Sequence, residues 1–78
     1  MNGFLVMGIG HKHDVPLAMF EDRDTAVEFA EDVSPADVQA AIRKAWHEEA
    51  GEDQPIGVVL APVKDSEPQP FESMKNFD

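Results

Sequence analysis

Ser34-Pro35 divides the one long helical stretch of this chain, residues 22–51, and that break sets how many helices must be packed. A proline cannot donate an amide to the preceding turn, and it biases the residue before it away from the helical region. Two helices therefore follow. At roughly 100° per residue, the first places Ala26, Phe29, Ala30 and Val33 on one side and Asp24, Glu28, Glu31 and Asp32 on the other. Asp22 is its expected cap, with Thr25 and Glu28 as an alternative capping box. The second helix opens at Ser34-Pro35-Ala36-Asp37, where Ser34 caps, Pro35 fits the first helical position and Asp37 reaches back. Its buried side reads as Val38, Ala41, Ile42, Ala45 and Trp46, and Gly51 is a natural left-handed stop.

The flanking segments are strands. Residues 4–10 are apolar on both alternating faces, as expected of a central strand. His11-Lys12-His13-Asp14 forms a polar hairpin loop, and residues 15–20 return as a second strand that Pro16, lacking an amide donor, sends to an edge. A third strand spans 56–63, and Pro62 marks it as the other edge. The expected fold is α+β: a single β-β-α-α-β domain over residues 1–63, with a three-stranded sheet of order 2-1-3 and two helices packed on one face. With two helices intervening, the third strand should run parallel to the first. Residues 64–78 read as a polar, proline-containing linker and a short apolar tail, in which Phe71, Met74 and Phe77 recur every third residue, as on one or two turns of helix.

Two helices can cover only one side of such a sheet, yet Phe4 and Val6 face one way while Leu5, Met7 and Ile9 face the other. Either the tail ridge of Phe71, Met74 and Phe77 covers the second face or another subunit does. A homodimer is the expected answer, because a lone core in a chain of 78 residues is marginal and the absence of cysteine rules out disulfides. No segment approaches a membrane span of about 18 apolar residues, and Met1-Asn2-Gly3 lacks a basic export signal. A cytoplasmic protein without a membrane partner is expected. Sixteen acidic residues against six basic ones, a net charge of −10, argue against direct binding of nucleic acid through its phosphates. The plain reading of this charge is a solubilising surface; the sharper one is a surface aimed at a basic protein.

Signals for chemistry are sparse. His11, His13 and Asp14 form the densest group of potential metal ligands, but a structural zinc site needs four ligands and the remaining histidine, His47, falls on the polar side of the second helix. No metal is assigned. There is no Cys or Tyr, and the hydroxyls Thr25, Ser34, Ser66 and Ser73 lie outside any nucleophile-elbow pattern. Gly8-Ile9-Gly10 starts like a dinucleotide fingerprint but lacks the third glycine and a following helix. Neither a catalytic residue nor a cofactor follows. Trp46, spaced helically from Ile42 and Val38, reads as core. The sequence thus points to a small acidic, non-catalytic interaction module, an accessory or regulatory protein that binds another protein through Asp24, Glu28, Glu31 and Asp32 and self-associates through Phe71, Met74 and Phe77. The alternative is an acidic mimic of nucleic acid that inhibits a DNA- or RNA-binding protein; a weaker one is a metal-dependent enzyme using His11, His13 and Asp14.

Overall fold

A computed structural model describes residues 2–46 and 53–77. In chain order they form β1 (Gly3–Gly10), β2 (Asp14–Phe20), α1 (Arg23–Asp32), α2 (Pro35–Trp46), β3 (Pro55–Lys64), β4 (Glu67–Pro68) and β5 (Glu72–Asn76). Both expected caps are in place. The Asp22 carboxylate accepts from the Thr25 amide at 3.0 Å. The Ser34 amide donates to the Asp37 carboxylate at 3.0 Å, while Ser34 Oγ accepts from the Asp37 amide at 3.2 Å, a closed capping box. The expected terminator Gly51 lies outside the described residues.

The α+β class and the order β2-β1-β3 are as expected, but the sheet has five strands. Residues beyond Lys64 add the other two. β4 pairs with Val63 and Lys64 of β3, and β5 pairs with residues 57–60, all antiparallel. β3 is therefore central. Pro62 does not mark an edge; it sits between the stretches of β3 taken by β5 and by β4, and its carbonyl accepts from the Gln69 amide at 2.7 Å. The helical ridge expected of Phe71, Met74 and Phe77 is likewise replaced by strand, since a segment beside an unpaired β3 satisfies its backbone by joining the sheet.

β3 runs antiparallel to β1, not parallel to it. The reason lies in where α2 ends. The Trp46 indole donates to the Asp14 carbonyl at 3.2 Å, so α2 brings the chain at Trp46 beside the β1–β2 hairpin, where β1 finishes. From there the next strand can only run back, and Pro55 duly pairs with Gly10.

Directly opposed residues share a sheet face, so Val6 with Leu60, and Gly8 with Val58, look toward the helices. Together with Ala26, Ala30, Val38 and Ile42 they form a fully buried core. Gly8-Ile9-Gly10 owes its glycines to this packing. A Cβ at Gly8 would lie 2.9 Å from Val38, and one at Gly10 2.8 Å from Ile42, so α2 can lie this close only over bare backbone. Val38 and Ile42 are buried as expected, but Ala45 and Trp46 are exposed, because α2 there overhangs the hairpin beyond the sheet; Phe29 is 36% exposed and packs on Phe20. Among the described residues no helix is long and apolar enough to cross a membrane.

Candidate functional site

Three features stand apart from the core. The first is a polar knot at the β1–β2 hairpin. Asp53, only 3% exposed, is the one buried charged residue among those described. Its Oδ1 accepts from the Lys12 amide at 2.8 Å, and its Oδ2 accepts from the His13 amide at 2.7 Å and contacts His13 Nδ1 at 3.0 Å. The fit is tight, for a Cβ on Gly10 would come within 2.7 Å of the same oxygen. Burial alone would push the Asp53 carboxyl up, but the Lys12 amide, the ring and amide of His13 and the charge of the ring together outweigh it and hold the group below the usual carboxylate range. An ionised carboxylate can only accept, so Nδ1 of His13 carries the proton and Nε2 is the ring's other nitrogen. Trp46 packs on that ring, with centroids 4.6 Å apart and planes tilted by 42°.

The expected ligand group is thus taken apart. His13 turns inward to Asp53, while His11 and Asp14 are exposed, and no three ligating side chains converge among the described residues. His47 lies outside the described residues. The hydroxyls are elsewhere: Thr25 and Ser34 are engaged at the helix starts, Ser66 lies in the β3–β4 turn and Ser73 lies on β5. What the knot does is fix the hairpin, tying two consecutive loop amides to a residue 41 and 40 positions away. Sequence reasoning missed Asp53 because it stands as one acid among several in a polar loop; only the proximity of Gly10 reveals the cradle.

The second feature is the open face of the sheet. Leu5, Met7 and Ile9 of β1 oppose Ala61, Val59 and Gly57 of β3, and on the other flank Leu5 opposes Met19. Ala61 and Gly57 are buried there, and none of Leu5, Met7, Ile9 and Val59 belongs to the helix-side core cluster. Leu5, Met7, Ile9 and Val59 are half-buried and Met19 is 38% exposed. Asp14, at a corner, is the one charged residue at a paired position on this face. Of the tail ridge, Met74 and Phe77 pack against the helix-side core, while Phe71 is 54% exposed and leaves Leu5, Met7, Ile9 and Val59 only half-buried.

The third feature is the outer side of α1, where Asp24, Glu28, Glu31 and Asp32 are all exposed, as the helical spacing requires. β5 holds this helix at both ends. Arg23 pairs with Glu72 at 3.0 Å, and Lys75 Nζ donates to the carbonyls of Glu31 and Val33 at 2.7 and 2.9 Å, where a cation also meets the negative end of the helix dipole. No family model matches the chain, and neither a curated protein nor a solved structure matches it. Function therefore rests on these three surfaces.

Proposed function

We propose that this chain is a small acidic protein-interaction module that pairs with a second copy of itself through the open sheet face and offers the outer side of α1 to a basic protein partner. The observation that carries the reading is the segregation of charge. In a chain with 16 acids, the apolar face formed by Leu5, Met7, Ile9, Met19 and Val59 carries a charge only at its corner. Two molecules of net charge −10 repel across most of their surfaces and can meet closely where neither bears charge. Four strand widths of roughly 4.8 Å and a typical length of about 26 Å, that of the eight-residue β1, outline a face of ~500 Å², so a pair would bury about 1,000 Å², the lower bound for a specific interface. A reversible dimer follows.

Salt separates the two halves of this function. Screening weakens the repulsion between like protomers, so self-association should strengthen with added salt, whereas binding of a basic protein to α1 should weaken. Sedimentation across concentration and ionic strength tests the first half; an affinity pull-down from the native host at low and high salt tests the second. A chain that stays monomeric at several hundred micromolar (about the range of weak dimers) would refute the dimer. The acidic mimic of nucleic acid is the second reading, favoured by the four carboxylates exposed together on one helix side. A captured partner whose nucleic-acid binding is blocked by this protein would select it over the plain module.

A further inference from the structure

On the helix side of the molecule, β2 ends the sheet, and between it and α2 lies a groove. Two hollows of about 330 and 500 Å³ meet at Leu17. The α2 wall is a single helical stripe of Asp37, Ala41, Lys44 and Ala45, and the floor is Val15 and Leu17. From Asp37 to Ala45 this wall is roughly 12 Å long, the span of three or four extended residues. The groove is apolar along its middle and charged at its ends. Asp32 and Asp37 stand at one end and Lys44 toward the other.

We infer that this groove docks an extended peptide segment of another protein, with apolar residues seated over Leu17 and a basic residue at the Asp32–Asp37 end. The inference rests on the interaction-module reading and adds a partner chemistry to it. An edge strand beside a helix is a template for such a segment: outer backbone groups of β2 other than the Asp14 carbonyl, which accepts from the Trp46 indole, hold the peptide and the hollows read alternate side chains. Opposite charges at the two ends set its direction. A second copy of this chain is a poor occupant, since at a net charge of −10 it brings an excess of carboxylates toward Asp32 and Asp37. Pro16 removes one donor from this edge, which blunts strand-to-strand pairing between copies while leaving the hollow at Leu17 open.

The probe is a random 12-residue peptide library displayed against the full chain (a length of about three times the groove's span), counter-selected on the Asp32→Lys variant. Survivors should share one or two apolar residues followed by Lys or Arg. Synthetic survivors should then bind Asp32→Lys at least about tenfold more weakly and lose similar affinity to Ala45→Glu, which fills the other hollow. Both positions are exposed, so the melts of the two variants should match the parent. A selection without a shared pattern, one rich in acidic residues, or peptides that bind both variants as well as the parent would overturn the groove. Glu67→Lys, exposed on β4 at the far side of the sheet, should leave peptide binding intact; loss with that variant alone would place the peptide away from the groove and overturn the inference. Failure of the dimer appears in sedimentation and failure of the groove in peptide binding, so the two readings fall separately.

Discussion

At the scale of single residues, Asp53 is the side chain on which most depends. Both of its oxygens accept hydrogen bonds, so asparagine, with one acceptor and an NH₂ group in place of the other, would set a donor against a donor. Asp53→Asn should lower the melting temperature by more than the combined neutralisation of Glu28, Glu31 and Asp32, and amide exchange should quicken first at Lys12 and His13. Retained protection at those two amides would show that the carboxylate does not hold the loop. The same residue gives the pH dependence its sign. The folded-state carboxyls of Asp53 and Asp37 lie below the reference value of 3.8, the first held down against its burial by the bonds of Lys12 and His13, the second by the amide and hydroxyl of Ser34. The unfolded chain therefore takes up these protons first as pH falls. Their stabilisation is fully present above the unfolded value and is lost as pH drops from about 4 through the folded values. Acid melts of the parent should show this loss, and Asp53→Asn should flatten it.

At the scale of elements, the tightest local demand falls on the β3–β4 hairpin. Val63 pairs with Pro68 and Lys64 with Glu67, leaving Asp65 and Ser66 as a two-residue loop with φ of 53° and 68°. Two positive φ values make a type I′ turn, for which Asn-Gly is the favoured pair. Asp65→Asn with Ser66→Gly should stabilise the chain by about 1 kcal/mol, seen as a rise of several degrees in melting temperature. An unchanged melt would mean that the turn is not strained. On α1, changing Glu28 and Glu31 to Gln and Asp32 to Asn removes exposed charge only, so each change should alter stability by no more than about 0.5 kcal/mol. Binding of a basic partner should fall, and a melt lowered by several degrees would show that these carboxylates serve the fold instead.

At the scale of the whole molecule, carboxylates line the outer side of α1 while the opposite face of the sheet is apolar and half-buried. Val59 opposes Met7 on the two strands at the middle of the open face. Val59→Lys should leave the monomer folded, because a lysine stem can lie along the sheet with its ammonium in water. In the dimer that ammonium would be buried without a partner, at several kcal/mol, so self-association should weaken at least about a hundredfold. Equal sedimentation of parent and variant would place the contact elsewhere.

Local rules were enough for much of this architecture. The helix break at Ser34-Pro35, both caps, the apolar stripe of α1 at Ala26 and Ala30 and the edge position of β2 follow from interactions within a few residues, and these were legible in the sequence. The open apolar face was legible too, because strand alternation is local and two short helices cannot cover both sides of a sheet. Tertiary structure alone decided the direction of β3, the use of residues 67–76 as strands and the burial of Asp53. Each of these depends on which distant backbone groups need partners: α2 brings Trp46 to the hairpin, so β3 returns from there; β3 then has a free flank, so the tail pairs with it; and the hairpin turns two amides inward beside Gly10, so the acid 41 positions from Lys12 becomes the buried one. No spacing in the sequence records that meeting, since a carboxylate in a polar loop reads the same whether it faces water or two amides.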